Sequence, residues 1–313
     1  MLDMLDPVLA PIARKHYSVF DEFDGDSSTY GREAGIGKLK DRTDEIQANL
    51  SAVLTAIQMR RDDYSMLVGP DEVLNLEQNA EVVVNGEEYY RKQWSEGMRD
   101  ASVTWNTRDQ HFATTCMRVN EHYTLYSTGP EPRFTLWAHN SHVGDSNGRG
   151  AKYAELKWNI GQMIRETFGK TQTLLVGLST YTGTVTAAPK WGDNAHYYEL
   201  NDGIPGSHED ALHTAAMEMP GQPNFGLFFR KPDGSEDEKQ SALVAVMSEK
   251  RMDRCVGVKY NKEPQKEVEG HYRDVVMSAQ FDVLLWVDTT KALRPIDMTH
   301  EWRAGELNPK LYS

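Results

Sequence analysis

Cysteine is scarce. The 313 residues hold two, Cys116 and Cys255, far apart and in no Cys-x-x-Cys pattern. That excludes a disulfide framework and a cysteine-built zinc cluster, and it fits a reducing, cytoplasmic setting. Positive charge is also short: 34 Lys and Arg stand against 47 Asp and Glu, for a net charge of −13. A nucleic-acid binder neutralises phosphates with clustered Lys and Arg. No such block occurs, so neither nucleic acid nor an anionic membrane is an expected partner. Long apolar runs are missing too. No segment approaches the ~18 apolar residues of a membrane span. The first residues carry acids early and lack the basic and apolar regions of a signal peptide, so no leader is expected. Without secretion, the acceptor pattern Asn49-Leu-Ser51 means little. Fixed-period repeats and low-complexity tracts are absent.

What remains is an ordinary soluble composition, 39% hydrophobic and 10% aromatic, with ample material for a core. The length suits two domains or one large α/β domain. Residues 1–20 read as helix and 21–38 as loop. Ile46, Leu50, Val53, Leu54 and Ile57 recur at helical spacing, so 41–62 is an amphipathic helix. A second helical stretch covers 71–98, with Asn85-Gly86 as an interruption point. A third covers 101–120, where Trp105, Phe112, Cys116 and Val119 make the buried face. Asn106 and Asp109 share another face, with Arg108, His111 and Thr115 close to it; this cluster is either an ordinary solvated face or a supplier of polar groups to a cleft.

After residue 120 the pattern changes. Phe134–Trp137, Thr173–Val176, Val185–Ala188, Phe225–Phe229, Cys255–Tyr260 and Phe281–Val287 read as strands. Helices are expected over 151–168, stopped by Gly169, and over 207–217. Residues 231–240 read as a charged surface loop. The expected architecture is α/β: a layered mixed sheet flanked by helices over 126–313, either complete or lacking strands, after a helical subdomain over 1–125. Short continuous apolar strands suit a sheet covered on both faces.

Three motifs fail on spacing. Gly35-Ile-Gly-Lys38 lacks both the earlier glycine and the following Ser or Thr of a phosphate loop. Gly177-Leu-Ser-Thr-Tyr181 lacks the last glycine of a nucleophile elbow. His208-Glu-Asp-Ala-Leu-His213 has one residue too many for a zinc-protease helix; five apart, the imidazoles diverge by about 140°. Those two histidines read as a helix cap and a surface side chain.

The stretch Trp137-Ala-His-Asn-Ser-His-Val-Gly-Asp145 is the serious candidate. It follows an apolar run, and α/β proteins bind ligands outside the carboxyl ends of strands. Neutral imidazole suits general-base work near pH 7. His139 and His142 can divide the labour, one taking a proton from water and one stabilising charge, with Asp145 orienting a ring. A metal pair needs further ligands, and no metal or other cofactor is expected.

That stretch, together with Thr104-Trp-Asn-Thr-Arg-Asp-Gln-His111, resembles the erythromycin esterase family, in particular its soluble homologues of unassigned substrate. Asn159-Ile-Gly-Gln162, Tyr181-Thr-Gly-Thr-Val-Thr-Ala-Ala188 and Gln280-Phe-Asp282 extend the match from Asp6-Pro7 to Arg294-Pro295. The resemblance implies an α/β hydrolase that opens an ester or lactone with water activated by histidine and carboxylate groups, without a covalent nucleophile. It places the family's histidine pair on His139 and His142. Asp145, Asn106, Arg108, Asp109, His111, Arg254 and His271 become supporting residues. Asp253 stands where the family carries a glutamate. The family's N-terminal Gly-Glu-x-x-His-Gly type motif, with its catalytic histidine and acids, is not found here. The expectation is therefore a chain matching the family from partway in. It is either a shortened hydrolase or an incomplete remnant that binds a ligand or partner.

Overall fold

The computed structural model describes residues 1–149, 157–191, 193–219, 221–231 and 238–293. The chain divides into two compact units, Met1–Thr135 and Leu136–Ser313.

The first unit is helical: α1 (Leu2–Leu5), α2 (Leu9–Tyr17), α3 (Ser27–Gly35), α4 (Lys40–Met59), α5 (Arg61–Val68), α6 (Pro70–Ser95) and α7 (Ala101–Tyr126). The α4 stripe is buried as its spacing requires. Val53 and Ile57 pack with Leu9, Tyr64 and Val73, while Ile46 and Leu50 pack with Phe23, Tyr30 and Val84. Helix α3 occupies the stretch expected as loop. Asp26 caps it, accepting from the Ser28 and Thr29 N–H groups. Its glycines mark close helix packing rather than a turn: a Cβ on Gly31 would lie 2.5 Å from the Tyr90 carbonyl oxygen. Helix α6 runs straight through Asn85-Gly86.

The face expected to bury α7 is corrected. Phe112 is exposed, and the buried residues are Ser102, Asp109, Ala113 and His122. The seam between α6 and α7 is polar. Asp71 meets His122 Nε2 at 2.6 Å, Glu81 meets Arg118 Nε at 2.9 Å, and Asn85 Nδ2 donates to His111 Nδ1 at 2.9 Å. Three polar pairs in antiparallel register do the work that a hydrophobic stripe does elsewhere, so apolar periodicity misreads this helix.

The second unit is an α/β fold with small mixed sheets. One holds β1 (Val176–Ser179), β7 (Val283–Val287) and β4 (Asn224–Phe228) in the order β1-β7-β4, with β1 parallel and β4 antiparallel to β7. A second, in the order β3-β2-β8, contains β3 (His196–Leu200), β2 (Thr182–Ala187) and β8 (Thr289–Thr290). β5 (Arg251–Arg254) pairs with β6 (Tyr272–Val275). The helices are α8 (Asn140–Val143), α9 (Ile160–Phe168), α10 (His208–Met217), α11 (Glu238–Met247), α12 (Pro264–His271) and α13 (Met277–Gln280). The core gathers Leu175, Leu212, Phe229, Met247, Phe281, Leu284 and Trp286. No described helix is long and apolar enough to cross a membrane.

Several expected elements shift. Phe134–Trp137 is not a strand; it has no ladder partner and Trp137 is 92% exposed. Cys255–Tyr260 is not a strand either, apart from a bridge between Lys259 and Ala188. The strand lies just before it, on the charged run Arg-Met-Asp-Arg, which β6 pairs from end to end. The strand read at Thr173–Val176 begins only at Val176. Within the helix expected over 151–168, the described residues show a helix over Ile160–Phe168, capped by Asn159. Residues 151–156 of that stretch, 232–237 of the expected charged loop, and Arg294-Pro295 lie outside the described residues.

Candidate active site

The histidine loop is built onto the second unit by side chains that act as backbone. Asn140 Nδ2 donates to the Leu178 carbonyl at 2.7 Å, and its Oδ1 accepts the Leu178 N–H at 3.2 Å. One amide thus pairs with the edge of β1 as a strand residue would. Buried Asn159 donates to the Ser141 and Gly144 carbonyls at 2.9 and 2.5 Å, and Arg149 Nη2 reaches the Ser141 carbonyl at 2.6 Å. The Asp145 N–H donates to the Gln280 carbonyl at 2.8 Å. Gly161 closes the base of the loop: a Cβ there would sit 2.2 Å from the Val143 carbonyl oxygen.

His139 caps the short helix α8 with its ring. Nδ1 accepts the Ser141 N–H at 3.2 Å and lies 2.8 Å from the Ser141 hydroxyl. Nε2 lies 2.8 Å from the Val256 carbonyl oxygen, which only accepts. The bonds therefore set Nδ1 as the acceptor and Nε2 as the donor. Among the described residues both nitrogens are engaged, so His139 holds the loop to the segment after β5. Cys255 Sγ lies 3.9 Å from Nδ1. Burial raises the Cys255 thiol, which leaves little nucleophilic thiolate. His142 sits in α8, its N–H bonded to the His139 carbonyl at 2.8 Å.

Asp145 does not serve as the expected ring-orienting acid. Its carboxylate accepts from Asn147 N–H at 3.0 Å and from Arg165 Nη1 at 3.3 Å. Arg165 bridges onward to Asp282 at 2.5 Å, and Asp282 takes Arg230 Nε at 3.0 Å and the Leu175 N–H at 2.8 Å. Burial alone would raise the Asp282 carboxyl. The Arg230 bond, the Leu175 N–H and the Arg165 charge outweigh that and hold it below its usual range. This network locks the loop to β1 and β7 from beneath.

Arg254 and His271 do come to the same region. The Cys255 N–H donates to the His271 carbonyl at 2.7 Å, one residue after Arg254. Burial pushes the His271 imidazole below its ordinary value. The Arg254 guanidinium is buried and donates to the Asn201, Thr180 and Tyr181 carbonyls at 2.6, 3.0 and 2.6 Å and to Glu267 at 3.2 Å. Tyr260 and Asn201 complete Glu267, at 2.9 and 2.6 Å. Arg254 is thus an architectural clamp joining the ends of β1, β3 and β5.

Asn106, Arg108, Asp109 and His111 belong to the helical unit and are described within it. Arg108 lies over the Trp105 ring at 5.5 Å, Asp109 is fully buried, and His111 receives the Asn85 amide. Burial lowers the His111 imidazole.

Two features escaped the sequence reading. Glu209, in the first turn of α10, accepts the Arg254 N–H at 2.6 Å and is fully buried. Burial raises its carboxyl. Burial, and then the Glu209 charge, raise Asp253 further, as two adjacent carboxyls sharing one proton must. The second concerns His208 and His213, expected as a helix cap and a surface side chain. Ser207 is the cap. His208 is fully buried, Nε2 3.3 Å from the Val275 carbonyl oxygen, and its imidazole is lowered by burial. His213 Nδ1 lies 2.7 Å from Asp288 Oδ1, and its ring stacks on Tyr181 at 3.8 Å and 6°. The signal was available: Asp288 ends an apolar strand, the logic that selected the histidine loop.

A family model described as erythromycin esterase matches residues 1–290. Three solved structures share the fold. A Bacillus cereus protein is 14% identical with a TM-score of 0.65, over 93% of this chain and 61% of its own. A succinoglycan biosynthesis protein is 16% identical with a TM-score of 0.65, over 93% and 59%. A histidine-to-asparagine mutant of erythromycin esterase EreC, in its open conformation, is 11% identical with a TM-score of 0.50, over 82% and 55%. The chain thus spans about three-fifths of the length of the structures it matches.

Proposed function

Because the chain belongs to the erythromycin esterase family, we propose that it hydrolyses a carboxylic ester or lactone by attack of histidine-activated water, without a covalent nucleophile. The observation that carries this reading is the anchoring of the histidine loop. Asn140 pairs with Leu178 at the carboxyl half of β1, and His139 grips Val256 beyond β5. That is where α/β folds place ligands. The low thiolate character of Cys255 further supports water as the nucleophile.

The two histidines take different roles. His139, with Nδ1 accepting and Nε2 donating, is a positioning residue for the loop. His142, carried on α8, is assigned to stabilise charge growing on the carbonyl oxygen. Removing such a donor costs about 100- to 1000-fold in kcat. A panel of chromogenic esters and lactones tests the reading. Turnover by the native chain, falling at least about 100-fold in His142→Ala, is the expected result. Near-native turnover in that variant sinks the assignment. A folded chain that turns over no member of the panel points instead to a binding protein.

A further inference from the structure

The hydrolysis proposed above needs an imidazole nitrogen able to take a proton, and both nitrogens of His139 are engaged by the protein. His213 differs. Asp288 Oδ1, which only accepts, lies 2.7 Å from Nδ1, so Nδ1 is the donor, and in the neutral ring the lone pair lies on Nε2. Among the described residues no hydrogen bond reaches Nε2. The His213 side chain is 28% exposed and that of Asp288 13%, so the ring meets solvent while its orienting carboxylate is covered.

The pair is rigidly built. Asp288 follows β7, and its N–H donates to Asn224 Oδ1 at 3.1 Å. Its carbonyl accepts the Tyr181 and Thr182 N–H groups at 3.2 and 3.1 Å. Tyr181, at the end of β1, holds the His213 ring by stacking and is itself held by Arg254 Nη2 on its carbonyl at 2.6 Å. Strands β1 and β7 are parallel neighbours, so both groups stand at the carboxyl ends of one strand pair. A base oriented by a carboxylate, with its other nitrogen open, is the arrangement that general-base catalysis requires.

We propose that His213, oriented by Asp288, is the general base that activates water for hydrolysis of the ester or lactone, a role that rests on the hydrolase reading above. Water gives its proton to His213 Nε2 as its oxygen bonds to the carbonyl carbon. The carbon–alkoxy bond then breaks, and the imidazolium returns the proton to the leaving alkoxide. The products are a carboxylic acid and an alcohol, or one hydroxy acid from a lactone. Asp288 stays ionised throughout.

The variant His213→Asn tests this, because its amide nitrogen takes the place of Nδ1 and can still donate to Asp288 while offering no base. The expected result is a kcat at least about 100-fold lower, the lower bound for a positioned base. KM should stay within about threefold, and the acid limb of the native pH profile should disappear. The charged groups around the Tyr181–His213 stack are Asp288 after β7, Asp210 on α10, Asp202 after β3 and Arg254 of β5. None of them is altered by the variant. Turnover within about threefold of native, with the acid limb kept, overturns the base assignment and leaves the hydrolase reading standing. Absence of ester or lactone turnover in the native chain overturns the reading itself. A measurement free of activity runs beside these: ring-nitrogen NMR of the native protein at neutral pH should show His213 protonated on Nδ1. A proton on Nε2 overturns the assignment whether or not turnover is seen.

Discussion

Replacing Arg254 with methionine should cost the second unit much of its stability. The guanidinium and Glu267 are each 2% exposed at the side chain. Removing one partner of a buried ion pair costs about 3–5 kcal/mol, because the other charge stays buried and unpaired. The Asn201, Thr180 and Tyr181 carbonyls lose their donors as well. They lie near the surface ends of strands, where water replaces part of the loss, so ~3–5 kcal/mol stands as the expected total. Domains hold only about 5–15 kcal/mol in all. Urea unfolding followed by circular dichroism should show the midpoint falling with little change in slope. The double variant Arg254→Met/Glu267→Gln removes the stranded charge while its amide oxygen keeps an acceptor for Tyr260. It should recover at least about 1 kcal/mol, the smaller end of the penalty for an unsatisfied buried group. A single-variant loss below about 1 kcal/mol, or no recovery in the double variant, would show that the clamp is not what joins β1, β3 and β5.

Two further predictions concern the ground beneath the site. Asp253 has its carboxyl raised by burial and by Glu209. The folded state therefore keeps a proton that the unfolded chain releases near pH 4, and this contribution is full below that pH and lost as pH rises through the folded value. Asp253→Asn should match the native chain near pH 4 and gain on it steadily up to pH 8 in urea midpoints; a constant difference across that range would contradict the shared proton. Gly161→Ala places a Cβ 2.2 Å from the Val143 carbonyl oxygen, a backbone atom that cannot rotate aside. It should cost about 1–3 kcal/mol, as overpacking does, and lower kcat with it; an unchanged melting temperature would mean that the loop base is looser than it stands.

Part of the candidate site could be picked out because titratable residues gather in one short stretch, Trp137–Asp145, although the strand expected before it does not form. His139, Arg254 and His271, picked from sequence, meet around Cys255 in the fold. The roles were less readable. Asp145 looks like a partner for a histidine three residues away, yet Arg165, twenty residues on, takes it. Neighbourhood in sequence says little about a carboxylate buried among distant elements. The β5 strand is hidden in the sequence because three of its four side chains are ionisable; only the fold supplies β6 as its ladder partner and Glu267 as the buried partner of Arg254. The α3 helix was missed because glycines that permit close packing on α6 look like turn residues in isolation.

The sequence by itself determined the family, the α/β class, the amphipathic α4 stripe and the histidine loop, because each depends on local pattern: residue type, spacing and order. The tertiary structure alone decided which imidazole keeps a free lone pair. His139 and His213 are the same side chain, and residue type alone does not separate them. What separates them is a carbonyl after β5 and a helix N–H on one ring, and a carboxylate after β7 on the other. Those partners lie up to 117 residues away, and only folding sets them beside the rings.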